Sequence, residues 1–133
     1  MFGKKDHTAI KTLIAHGTRI RGDLEFEDGL RVDGEVHGAI TSHSDAGSML
    51  VISDGAVVEG GLKADHVIIN GTVRGPVEAR GVLELQAKAK IEGDVQYASL
   101  EMTHGATILG QLRPLEAPAE GDKKVVKLTA TTA

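Results

Sequence analysis

The side chains able to do chemistry in this 133-residue chain are few and scattered. Six histidines (His7, His16, His37, His43, His66 and His104) fall at separate places, and none of their spacings matches a metal-binding pattern. No cysteine is present, which removes thiolate nucleophiles, thiolate metal sites and disulfides, and suits a reducing compartment. The carboxylates Asp23, Glu35, Glu59, Glu78, Glu92 and Asp94 lie between apolar residues, so strand alternation turns them outward as a solvated face. The sequence contains no GxSxG elbow, GxxxxGK[ST] phosphate loop or HExxH helix. Arg21-Gly22-Asp23 spells an adhesion tripeptide, but its glycine belongs to a repeat that runs through the chain. The expectation is a protein without catalytic residues, metal or cofactor, and therefore not an enzyme.

That repeat is the element that places every side chain. Residues 58–77, VEGGLKADHVIINGTVRGPV, contain two copies of one phrase: apolar, any, Gly, any, apolar. Six copies begin at Ile20, Val36, Val58, Val73, Ile91 and Ile108, separated by 16, 22, 15, 18 and 17 residues. A period of this size indicates a solenoid. Six residues before each anchor stand Ile14, Leu30, Ile52, Val67, Leu85 and Met102; four residues after it stand Leu24, Ile40, Leu62, Val77, Val95 and Leu112. The local apolar spacing of two is that of strands, not helices. Three residues before each anchor come Gly17, Asp33, Gly55, Asn70, Lys88 and Gly105, a column of corner residues that Lys88 breaks. Glycine follows every anchor at two residues, which requires a bend or a neighbouring coil too close for a Cβ. Three short strands per copy make one turn of a single-stranded parallel β-helix. Six triangular coils then form an all-β rod about 29 Å long, at roughly 4.8 Å per coil.

Composition agrees. The aromatics are Phe2, Phe26 and Tyr97 only, too few for an ordinary compact core but enough for a rod filled by Val, Ile and Leu. A formal charge of −4 disfavours a general nucleic-acid binder. No apolar run reaches the length of about 18 residues that spans a bilayer, and no secretory leader is evident, so a soluble cytoplasmic protein is expected. Residues 1–11 and 115–133 lack the repeat and read as disordered tails around a core over 12–114. Residues 42–48 (SHSDAGS) read as a surface loop. Nothing marks one flank of the rod for lateral contact.

A solenoid must cap its ends or pair them. Neither flank here has the pattern of a capping helix. The apolar residues of the first coil (Ile14, Ile20, Leu24, Phe26) and of the last (Leu100, Met102, Ile108, Leu112) are therefore the candidate polymerisation surfaces.

A Gly-rich, Val/Ile-periodic core between short tails, starting Met1-Phe2-Gly3-Lys4-Lys5, resembles the bactofilin family over the whole chain. The phrases Val32-Asp33-Gly34-Glu35-Val36-His37-Gly38 and Ile69-Asn70-Gly71-Thr72-Val73-Arg74-Gly75 carry the likeness. The resemblance implies a right-handed β-helix. It also implies nucleotide-independent, non-polar filaments joined head-to-head and tail-to-tail. It further implies a peripheral location on the inner face of the cytoplasmic membrane, where the polymer positions cell-wall or cell-shape enzymes or other cytoskeletal proteins. The family's N-terminal membrane-targeting peptide is matched by Met1, Phe2, Lys4 and Lys5. A phenylalanine of the last coils important in several members has no counterpart here; Leu112 or Tyr97 would have to replace it. Two rival classes stand beside this reading. One is a trimeric acyltransferase on a left-handed β-helix, whose motif places Gly directly after the aliphatic residue. The other is a monomeric scaffold that recruits partners through its tails, with residues 123–128 (KKVVKL) as the handle.

Overall fold

A computed structural model describes residues 10–43 and 47–115. Every regular element in it is a strand, and every pairing is parallel. The first coil runs β1 (Thr12–Ile14), β2 (Arg19–Arg21) and β3 (Leu24–Phe26); the second β4 (Gly29–Val32), β5 (Glu35–His37) and β6 (Ile40–Ser42). The third holds β7 (Met49–Ile52), β8 (Val57–Glu59) and β9 (Leu62–Ala64), and the fourth opens with β10 (His66–Ile69) and β11 (Thr72–Arg74). From there two long strands turn the corner between coils without breaking: β12 (Val77–Leu85) and β14 (Val95–Met102), with β13 (Lys90–Glu92) between them. The sixth coil ends in β15 (Thr107–Leu109) and β16 (Leu112–Pro114). The result is a six-coil β-solenoid with three faces. The first face carries β1, β4, β7, β10 and the second halves of β12 and β14; the second carries β2, β5, β8, β11, β13 and β15. The third carries the remaining strands.

Register corrects one expected column. The stack through Ile14 continues as Val32, Ile52, Ile69, Leu85 and Met102, whereas Leu30 and Val67 stack with Thr12, Leu50, Leu83 and Leu100. The cause is that corners come in two lengths. In coils one, three, five and six the chain makes a four-residue turn, closed by bonds such as Thr18 N–H to Ala15 C=O (3.0 Å) and Ala56 N–H to Ser53 C=O (3.0 Å). Coils two and four turn on Asp33-Gly34 and Asn70-Gly71 alone. Their N–H groups bond to the turn of the preceding coil, Asp33 to Ile14 C=O (2.7 Å) and Asn70 to Ile52 C=O (2.7 Å). A Cβ on Gly34 or Gly71 would collide with carbonyls of that turn.

Lys88 is resolved by the same geometry. Gly17, Gly55 and Gly105 have φ of +93°, +89° and +109°, as a type II turn requires at its third residue. The Gln86–Ala89 turn keeps negative φ at both central positions, since Asp28 is the one non-glycine with positive φ among the described residues. A turn of that kind accepts most residues. Lys88 N–H then bonds to Asn70 Oδ1 (2.9 Å), and its ammonium reaches Asp54 two coils away (3.0 Å).

At the glycine that follows each anchor, both expected reasons hold together. Gly60, Gly75 and Gly93 have φ of +154°, +147° and +149°. A Cβ on any of them would lie closer than 3.0 Å to the carbonyl of the glycine one coil earlier. Gly22, in the first coil, has φ of +135° but open space around it.

The core is richer than three columns. Besides the anchors of the four inner coils it buries Leu30, Val32, Leu50, Ile52, Val67, Ile69, Leu83 and Leu85 from the first face. From the third it buries a column of mixed residues, Ser42, Ala64, Ala79 and Tyr97, that starts at Phe26 and ends at Pro114. Burial pushes the Tyr97 hydroxyl pKa up.

A polar clamp ties together Ser42 and Ser48. Ser48 donates from N (2.9 Å) and Oγ (2.9 Å) to Asp65 Oδ2, and Asp65 N–H returns to Ser48 Oγ (3.1 Å). Arg80 donates to Asp65 Oδ1 (3.0 Å) and to Ser42 C=O (2.9 Å). Burial alone would raise the Asp65 carboxyl, but the bonds from Arg80 and Ser48 outweigh it and hold it below its ordinary value. Its stabilising contribution is therefore full above the unfolded value of about 3.9 and lost as pH falls through the lower folded value. Asp65→Asn is expected to cost about 1–3 kcal/mol near neutrality. Because the asparagine does not titrate, the deficit should narrow below about pH 4, which urea titrations at pH 7 and pH 3 would read.

Candidate functional site

Among the described residues, both ends of the rod are open. β1, β2 and β3 pair only with the second coil, while β15, β16 and the last half of β14 pair only with the fifth, so each end leaves three strand edges unpaired among the described residues. The core is exposed there as well. Ile14 is buried, but Ile20, Leu24 and Phe26 at one end and Leu100, Met102, Ile108 and Leu112 at the other are only partly covered. The two sets sit at opposite termini of the rod. Tyr97 lies one coil further in, buried above Pro114, whereas Leu112 belongs to the open final coil. Met1, Phe2, Lys4 and Lys5, and residues 123–128, lie outside the described residues.

The second face carries an ordered ladder rather than isolated solvated charges. Arg19 donates to Glu35 (3.0 Å), His37 sits between Glu35 (3.3 Å) and Glu59 (3.0 Å), and Arg74 joins Glu59 (2.7 Å) to Glu92 (3.6 Å). Arg19, then His37, lowers the Glu35 pKa; Arg74, then His37, lowers that of Glu59. These groups are exposed, so Arg74→Ala should lower the melting temperature only slightly, a difference that fades as salt is raised in thermal melts. Leu109 ends the ladder at 60% exposure in the final coil.

The third face holds an open groove of about 380 Å³ along Ala39, Gly61, Lys63, Pro76, Glu78 and Arg113. No set of three His, Asp or Glu side chains converges as metal ligands among the described residues, and no helix there is long and apolar enough to cross a membrane.

The first face was the one sequence reasoning missed. Its outward residues in the middle coils are Met49, Val51, Ile68 and Val82, half-buried and adjacent through the β7–β10–β12 pairing. The signal was present as two unbroken apolar runs, MLVI and, after His66, VII, where alternation would place polar residues outward.

A family model described as "Bactofilin: Polymer-forming cytoskeletal" matches residues 12–113. The chain is 27% identical to Bactofilin BacP of Myxococcus xanthus over 126 residues, covering 91% of this chain and 50% of that one. It is 24% identical to Bactofilin BacO of the same organism over 111 residues, covering 84% and 85%. The chain thus spans about half the length of the first of these relatives and most of the second. No solved structure matches it significantly. With the matched segment running from the first strand to the last, the chain belongs to the bactofilin family of polymer-forming cytoskeletal proteins.

Proposed function

We propose that this protein assembles end to end, without nucleotide, into non-polar filaments that lie on the inner face of the cytoplasmic membrane and scaffold cell-wall or cell-shape machinery. The observation that carries the reading is the pair of open ends. Among the described residues, each leaves three unpaired strand edges around partly covered apolar side chains. Stacking coil on coil between subunits satisfies both at once, as continued coils do within the rod. Negative-stain electron microscopy of the purified protein without nucleotide tests it. Long filaments are the expected result; discrete trimers or monomers at every concentration would overturn it and favour the acyltransferase or scaffold classes.

Attachment to the membrane falls to Met1, Phe2, Lys4 and Lys5. One Phe and three cationic or apolar companions bind weakly, at about 1 kcal/mol per Lys near an anionic surface. A filament repeats the peptide along its length, so avidity makes the attachment firm. Leu112→Arg, placed in the final coil, is expected to lose liposome co-sedimentation together with filaments. Equal liposome binding by this variant and the wild type would refute the coupling.

A further inference from the structure

Reading outward along the first face from the first coil to the last, one column is Leu13, Arg31, Val51, Ile68, Glu84, Glu101. It is cationic in coil two, apolar in the middle and anionic at the far end. The second and third faces show no such order. Turn a second copy by half a revolution and lay its first face on this one, and coil two meets coil five while coil three meets coil four. Arg31 then faces Glu84 of the other copy, and Val51 faces Ile68, each contact occurring twice about one two-fold axis. Such self-complementarity is what an isologous interface requires. Arg31 uses Nε for Asp33 (2.9 Å), yet its side chain stays 52% exposed, and a guanidinium has further N–H donors for a second carboxylate. Glu84 has Gln86 at 3.4 Å and His66 at 3.9 Å, and its side chain is 32% exposed. Near the axis, His66 has its Nε2 covered and without a hydrogen-bond partner among the described residues, beside Met49. Leu13 against Glu101 is the one mismatch, and it lies at the rim.

We infer that the first face is a lateral docking surface for a second, antiparallel copy of this chain, centred on Val51 and Ile68 and keyed by Arg31 to Glu84. The face measures roughly 350 Å² per subunit, well under the ~800 Å² of a stable interface. The pairing is weak between free subunits and firm between polymers, where it repeats along the length. In this respect it rests on the filament reading. Because subunits alternate in direction along a non-polar filament, two filaments in register can give every subunit an oppositely directed partner across this face.

Two experiments separate the inferences. In electron micrographs, wild-type filaments are expected to pair side by side. Arg31→Glu and Glu84→Arg should each give single filaments, and the double variant should restore pairs. Single wild-type filaments, or a double variant that stays single, would overturn lateral docking while leaving polymerisation intact. Doublets lost on removing residues 116–133 would assign the face to the chain's own C-terminal segment instead and also overturn it. If no filaments form, cysteine trapping decides independently of them. Val51→Cys protein mixed with Ile68→Cys protein at high concentration should oxidise to a mixed disulfide dimer in preference to either homodimer. Equal or greater Val51→Cys homodimer would mean a parallel or random encounter and sink the antiparallel arrangement.

Discussion

Replacing Gly75 by alanine is expected to cost about 4 kcal/mol, a large share of the roughly 5–15 kcal/mol that holds a domain together. Two penalties add. The backbone at Gly75 has φ of +147°, a conformation that costs an L-residue about 1–3 kcal/mol. The new methyl would also press on the carbonyl of Gly60 in the coil beneath, and forced overpacking costs about 1–3 kcal/mol more. Gly22→Ala is the internal control. It carries a comparable backbone penalty at φ of +135° but has no coil beneath it, so about 1–2 kcal/mol is expected. Urea denaturation of both variants compares them directly. Equal midpoints would show that close approach between coils contributes nothing and that the bend alone selects glycine.

The second large effect concerns assembly. Leu112 stacks on Val95 and is partly exposed at the open end, so an arginine there can turn its charge to water in the free subunit. Within a subunit junction the same charge is buried without a partner, at a cost of about 3 kcal/mol or more. The critical concentration for polymerisation should rise at least about a hundredfold. The residual species is informative. In a non-polar filament the first-coil junction remains intact, so Leu112→Arg stops at dimers; in a polar filament it stops at monomers. Sedimentation velocity distinguishes these, and circular dichroism checks that the variant stays folded. Filaments at wild-type concentration would remove Leu112 from the junction.

Much of the architecture was legible because one residue type at one spacing carried it. The Val/Ile anchors and their following glycines recur in all six coils, and the structure places them as one stack, buried at Val36, Val58, Val73 and Ile91, beside a backbone ladder that packs tightly beyond the first coil. What escaped was whatever varied between coils. Asp33-Gly34 and Asn70-Gly71 look like part of the longer corners, yet each saves two residues and shifts the preceding strand by one inward position. Counting back from the anchor therefore merged Val67 and Leu30 with the wrong stack. The column Phe26, Ser42, Ala64, Ala79, Tyr97, Pro114 hid for another reason: its members share a position but no chemistry. Outward order was harder still. The ladder through His37 and the apolar centre at Val51 and Ile68 depend on which residues of neighbouring coils stand side by side, and that follows only once the register is fixed.

The open ends have a thermodynamic side. Nearly all contacts in the rod join adjacent coils, so its stability is close to a sum over neighbours, and the terminal coils have a neighbour on one side only. They fray first. A subunit that stacks on such an end supplies the missing neighbour and binds only the ordered form, so folding of the last coil and growth of the polymer become one linked equilibrium. On the filament reading, each incoming subunit would then serve as the cap of its predecessor.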